Sequence, residues 1–314
     1  MILEVQHETH LKYSEPVTES IAEVRMEPVS DADQSCHSFA LAIQPATENF
    51  RFQDGFGNRV HHFNLLAPHE QVRVLAASIV ETHPRPLDLA SSRAVYPADP
   101  STDLEVLDFL RFDGPVRRSP LLATHLDAVR PAPGMRLADL AIRIARHIRD
   151  HFEYAPDVTL VTSPIDHVLE EGKGVCQDFT HLMLALLRSF EVPARYVSGY
   201  IHRLNKESQS HAWCEVWLPD LGWVGIDPTN DRLTDEHFVK VAVGRDFTDV
   251  PPNKGVYRGR AAESIFVRVE TRTLERLPAL SWQEQLPPLN VPLTAIVPRP
   301  HGTVESADED QQQQ

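Results

Sequence analysis

Ser210-His211-Ala212-Trp213-Cys214-Glu215-Val216-Trp217-Leu218, then Pro219-Asp220-Leu221-Gly222, then Trp223-Val224-Gly225-Ile226-Asp227, reads as two strands joined by a turn. Strand alternation sends His211, Trp213, Glu215 and Trp217 to one face and Ala212, Cys214, Val216 and Leu218 to the other. A histidine and an aspartate on paired strands can hydrogen-bond. The carboxylate then fixes the imidazole tautomer and stabilises its protonated form. Register decides whether they meet. Pairing Leu218 with Trp223 puts His211 and Asp227 on opposite faces, whereas pairing Trp217 with Trp223 puts them on the same one. A working pair therefore predicts an odd-length connection or a bulge in this hairpin.

Upstream lies Gly174-Val175-Cys176-Gln177-Asp178-Phe179. Phe179, Leu182, Met183, Leu186, Leu187 and Phe190 recur at helical spacing, which predicts a helix over 175–190 with Cys176 in its first turn. The unpaired N–H groups and positive dipole end of a helix favour a thiolate, the nucleophilic form of cysteine. The same N–H groups can receive an oxyanion. The bland reading is a small buried apolar residue.

These three blocks, in this order, resemble the transglutaminase-like superfamily. The spacings of 35 (211 − 176) and 16 (227 − 211) are also similar to that family's. The resemblance implies a Cys-His-Asp triad of Cys176, His211 and Asp227 in a papain-like α+β core. It implies amide acyl transfer on a peptide, protein or other amide, without a metal or cofactor. Gln177 and Asp178 are candidates for oxyanion or supporting roles, and Trp213 and Trp223 for lining a substrate groove. Asp178 otherwise reads as a helix-dipole carboxylate, His181 as a partly exposed histidine and the tryptophans as core. Animal transglutaminases carry tryptophan directly after the nucleophile, where this chain has Gln177. Hydrolysis through a thioester is accordingly the first reading, with transfer to amine acceptors as the alternative and a non-catalytic binding module as a third. Asp54-Gly55-Phe56-Gly57-Asn58 and Val80-Glu81-Thr82 are similar to the domain that precedes the core in bacterial members. The segment Gly244–Pro252 is similar to the one that follows it.

Working outward, residues 1–90 read as a small antiparallel β-sandwich, from short segments at Ile21–Met26, Ser38–Ile43 and Val72–Val80 separated by turn signals. Residues 91–135 read as a connector with short helices, one presenting Leu104, Leu107 and Leu110. Residues 136–272 form the catalytic core and a closing strand. A helix over 136–152 is marked by Leu137, Leu140, Ala141, Ile144, Ile148 and Phe152. A second starts with Ser163 as N-cap and Pro164 in first position, and stops at Gly172. The stretch 202–210 reads as an ordinary connection, and 273–314 as a proline-rich, acidic, glutamine-ended tail of disordered composition.

Bulk properties narrow the class. With 42% hydrophobic and 24% charged residues, the 314-residue chain has the balance of a globular protein of about two domains. A net charge of −15 argues against a phosphate backbone as partner. Three cysteines without CxxC spacing argue against a disulfide framework. No apolar run is long enough to span a bilayer, and the first residues lack a leader pattern. A reducing cytoplasm is the expected location. A zinc site from His211, Cys214 and Cys176 is disfavoured, because alternation separates His211 from Cys214.

Overall fold

The computed structural model describes residues 1–98, 104–156, 163–203 and 209–278. The expected tail beyond 278 and the middle of the 202–210 connection lie outside the described residues.

Six strands open the chain: β1 (Ile2–Val17), β2 (Glu19–Val24), β3 (Gln34–Gln44), β4 (Asn49–Gln53), β5 (Arg59–Leu65) and β6 (His69–Thr82). They divide between two sheets, β1-β6-β3 and β2-β5-β4. Leu11, Val17, Val24, Met26, Phe63, Val72 and Val74 fill the space between the sheets, as a β-sandwich requires. The sequence conceals β1 because it is buried almost continuously from Leu3 to Leu11. Leu11 and Tyr13 face the sandwich core, while Leu3 and Val5 join the larger helix–sheet core, so no alternation is visible.

Two short helices follow, α1 (Leu104–Leu107) and α2 (Ala123–Val129). The expected leucine face is corrected here. α1 passes at once into a 3₁₀ turn at Asp108–Leu110, which shifts the period. Val106 and Phe109 are buried, and Leu104 is 80% exposed.

The core begins with α3 (Leu137–His151), whose Leu137, Leu140, Ala141, Ile144 and Ile148 are buried. Then come β7 (Glu153–Tyr154), α4 (Ile165–Glu171), β8 (Lys173–Gly174) and α5 (Cys176–Ser189). α4 ends as expected, on Gly172 at φ 67°. Its start differs: Pro164 occupies the cap with no side-chain cap bond, and Asp166 instead accepts from Arg117 and Ser119 of the connector. β9 (Ala194–Ile201), β10 (Gln209–Leu218), β11 (Gly222–Asp227), β12 (Arg232–Leu233) and β13 (Phe238–Gly244) form one sheet in the order β12-β11-β10-β9-β13. Ile144, Ile148, Met183, Leu187, Tyr196, Ala212, Cys214 and Val216 bind helices and sheet into one core. Each such aliphatic side chain contributes about 1.5–3 kcal/mol by leaving water.

The chain then returns to the sandwich. β14 (Asn253–Arg258) adds to β2, and β15 (Glu263–Leu274) runs antiparallel to β1 from Tyr13↔Glu263 to Ile2↔Leu274. The closing strand thus extends the first domain's sheet rather than the sheet of the second. It covers the edge that β1 would otherwise leave unpaired.

β13 is an outer strand of the five-stranded sheet. A register shift between Lys240 and Ala242 turns the backbones of Lys240 and Val243 outward. Two side-chain amides of the sandwich meet them. Gln34 donates to Lys240 O at 2.8 Å and accepts from Lys240 N at 2.8 Å. Asn58 donates to Val243 O at 2.8 Å and accepts from Val243 N at 2.7 Å. Both amides are buried. Asn58→Ala orphans one buried donor and one buried acceptor, at about 1–3 kcal/mol each. The variant should lose at least about 2 kcal/mol of stability in urea unfolding. A midpoint equal to wild type would show that the amide does not hold the two domains.

Candidate active site

The hairpin adopts the register that brings its two polar residues together. Trp217 pairs with Trp223, Cys214 with Ile226, and Leu218 with Gly222, which leaves the odd-length connection Pro219–Leu221. His211 and Asp227 therefore share a face, with His211 Nε2 2.8 Å from Asp227 Oδ2.

Asp227 has no exposed surface, and a buried carboxylate must be matched by donors. Besides His211, its partners are Asn230 Nδ2 at 2.6 Å, Thr229 N at 2.9 Å and Asn230 N at 3.3 Å. Burial works against ionisation, but the hydrogen bond and charge of His211, then Asn230 and Thr229, prevail and hold the carboxyl below its usual range. Asn230 was not singled out from sequence. Its signal is the Asp227-Pro228-Thr229-Asn230 run, an Asx-type turn in which aspartate accepts from the residues after it.

His211 is 6% exposed. Burial pushes the imidazole down, yet the hydrogen bond to Asp227, the hydrogen bond with the Cys176 side chain and the charges of both partners raise it to about 9. Trp213 lies beside it, ring centroids 6.3 Å apart and 29° between planes, and Phe238 stands 6.0 Å away.

Cys176 is the first residue of α5, half-buried. Asp178 folds back over the helix start, its Oδ2 accepting from Val175 N at 2.8 Å. Gly174 makes room for this: a Cβ there would lie 2.9 Å from both the Cβ and Oδ2 of Asp178. Helical bonding begins with Phe179 N to Val175 O, so the backbone N–H groups of residues 176–178 precede it. Tyr196 and Tyr154 lie within electrostatic reach of the thiol. Burial first, then the charge of Cys176, raises both phenols. β7 sets Tyr154 alongside Gly174. Neither tyrosine has a sequence signal, because each reads as a strand aromatic.

The remaining candidates sort by place. Asp178 caps the helix. His181 is 1% exposed rather than partly exposed, and its Nε2 accepts from Phe247 N at 3.2 Å. Trp213 is 2% exposed, packed with Val197, Ile201, Phe238 and Val243, and it borders a small cavity of about 50 Å³ together with Trp223. Trp223 is half-buried under the Arg195 guanidinium, 4.3 Å from its ring centre. Gln177 sits beside the thiol on the first turn of α5.

The chain matches the family described as the transglutaminase-like superfamily over residues 128–228, and the bacterial transglutaminase-like N-terminal region over residues 3–81. An uncharacterized protein of Mycobacterium leprae is 37% identical over 286 residues, which cover 87% of this chain and 99% of that protein. The protein-glutamine gamma-glutamyltransferase of Pseudomonas aeruginosa is 29% identical over 161 residues, 46% of this chain and 24% of the other. A Cytophaga hutchinsonii structure described as a "putative cysteine protease" superposes with a TM-score of 0.72 at 21% identity, covering 88% of this chain and 93% of that one, and shares the fold.

The raised imidazole sets a pH signature. Its folded value of about 9 exceeds the unfolded value near 6.5. The stability it contributes is therefore complete below about pH 6.5 and is lost as pH rises through about 9. Asp227 has the opposite sign, contributing above the ordinary carboxylate range and losing that contribution as pH falls through its lowered value. In NMR titrations His211 should change protonation near pH 9, and Asp227→Asn should move the midpoint down by more than about one unit. An unmoved midpoint would mean that the carboxylate does not govern the imidazole.

Proposed function

The chain belongs to the transglutaminase-like superfamily, and from that premise we propose that it is a thiol-dependent amide acyl-transfer enzyme whose ordinary acceptor is water. One observation carries the reading: an imidazole held by a buried carboxylate, His211 Nε2 to Asp227 Oδ2 at 2.8 Å, lies within electrostatic reach of the Cys176 thiol at the start of α5.

Under this reading the Cys176 thiolate attacks the carbonyl carbon of an amide. The C–N bond breaks as protonated His211 gives its proton to the departing amine, leaving an acyl thioester on Sγ. His211, now neutral, takes a proton from water, and the hydroxide attacks the thioester. The carboxylic acid leaves and the thiol is regenerated with the imidazole. Asp227, by holding Nε2, leaves Nδ1 of His211 as the nitrogen that exchanges the proton with sulfur. The backbone N–H groups at the start of α5 are the donors for the oxyanion, with Gln177 beside them. No step calls on a cofactor.

An amine in place of water gives transamidation from the same thioester. The likeness to the Pseudomonas aeruginosa glutamyltransferase favours keeping that reading. A labelled primary amine offered with a glutamine-containing peptide separates the two: incorporation marks transfer, and ammonia release without incorporation marks hydrolysis.

Cys176→Ala should lower turnover by at least about 10⁴-fold with an unchanged melting transition, and Asp227→Asn by about 10²–10⁴-fold. Iodoacetamide should modify Cys176 well before Cys36 or Cys214. Burial pushes the Cys36 thiol up to about 12 and raises that of Cys214 further. Equal alkylation rates at all three positions would remove the activated nucleophile.

A further inference from the structure

Three imidazoles gather on the α2–α3 face of the core, in a group the proposed mechanism does not use. His125 lies on α2, and His147 and His151 lie one turn apart on α3. His125 Nδ1 is 2.9 Å from His147 Nε2. The rings of His147 and His151 stand 4.1 Å apart, centroid to centroid. Histidines at i and i+4 share a helix face, which is the spacing used to hold a metal from one helix. A groove of about 360 Å³ opens over the pair, lined by His147, His151, Asp150, Asp139, Arg143 and Arg146.

We propose that His125, His147 and His151 form a binding site for a divalent transition-metal cation of the zinc type. Two details of the geometry favour it. First, His151 Nδ1 donates to the backbone carbonyl of His147 at 2.8 Å. That bond fixes its tautomer and leaves Nε2 with a lone pair, the arrangement that second-shell carbonyls impose on metal-bound histidines. Second, His125 and His147 point ring nitrogens at each other at 2.9 Å, sharing one proton between them. A tetrahedral ion with bonds of about 2.0–2.1 Å needs two such nitrogens about 3.3 Å apart. A small opening and a tautomer shift of whichever ring supplies that proton would seat it.

His151 must turn its Nε2 toward the pair. Among the described residues, the one group of three whose ligand atoms already converge is Asp235-Glu236-His237. That group is spoken for: Asp235 bonds Arg232 and the His237 ring. It serves as the internal comparison.

The test uses full-length protein without an affinity tag, stripped with a chelator and titrated calorimetrically with Zn²⁺. Co²⁺ absorption reports on ligand geometry. One tight equivalent per chain is expected, with a tetrahedral Co²⁺ spectrum. His147→Gln and, separately, the exposed His151→Gln should each weaken binding by more than about tenfold. His237→Gln should leave it unchanged. Melting of the metal-free variants verifies folding, and if His147→Gln fails to fold, His151→Gln decides. Absence of a tight equivalent, or its loss in His237→Gln alone, overturns the proposal. Neither result bears on Cys176 chemistry, so the two readings fail separately.

Discussion

Asp227 is a carboxylate with no exposed surface, and the hairpin that carries it is arranged to make that tolerable. Desolvating such a group costs several kcal/mol unless charge and hydrogen bonds offset it. Here His211, the Asn230 side chain and two backbone N–H groups close around its two oxygens. Those donors are in place in only one hairpin register. A slip by one residue would turn His211 away and bury an unpaired charge. The requirement that positions an imidazole beside a thiol is therefore also the one that selects the strand pairing.

A second constraint joins the sandwich to this sheet. β13 is an edge strand, and an edge with unpaired amides invites other chains. Gln34 and Asn58 close it at two points, and Thr82 Oγ1 donates to Glu236 O at 2.6 Å just before the strand begins. Charge follows the same path. Glu215 is buried between Arg195 and Lys240, and Lys240 reaches on to Asp31 in the sandwich at 2.8 Å. Burial opposes the Glu215 charge, but those two cations hold its carboxyl at about 2. The sandwich completes the polar accounting of the five-stranded sheet, and the return of β14 and β15 makes the joint covalently continuous at both ends.

Local patterns were legible and long-range ones were not. The α5 face, the hairpin alternation and the Gly172 stop are written within a dozen residues, so spacing alone reveals them. The even register followed from one demand, that His211 reach Asp227. β1 left no pattern because neighbours cover it on both sides. β13 went unseen although its apolar content is high: its meaning lies in amides contributed by residues 34 and 58. Asn58 was visible as a turn residue, yet its grip on Val243 spans the length of the chain between them. His181 read as partly exposed because a histidine among leucines carries no mark of the backbone N–H it accepts from. Tyr154 and Tyr196 owe their place within reach of the thiol to packing of separate elements, which no window of sequence contains.

The three cysteines show how far position outweighs residue type. Cys214 is three residues from His211 and sits in the same strand, but alternation sends it into the helix–sheet core, where burial keeps it a thiol. Cys36 lies on β3, bonded to the carbonyl of Ser38 and pushed up by burial and by the charge of Glu27. Cys176 is far from His211 in sequence and near it in space, because α5 packs against β10 through Phe179, Met183 and the inward side chains Ala212, Cys214 and Val216. The inert cysteine is thus part of the packing that brings Cys176 to its imidazole. Enlarging Cys214 would act on the site through the tilt of α5, with no chemistry of its own, since a core at crystal-like density transmits a displaced methylene rather than absorbing it.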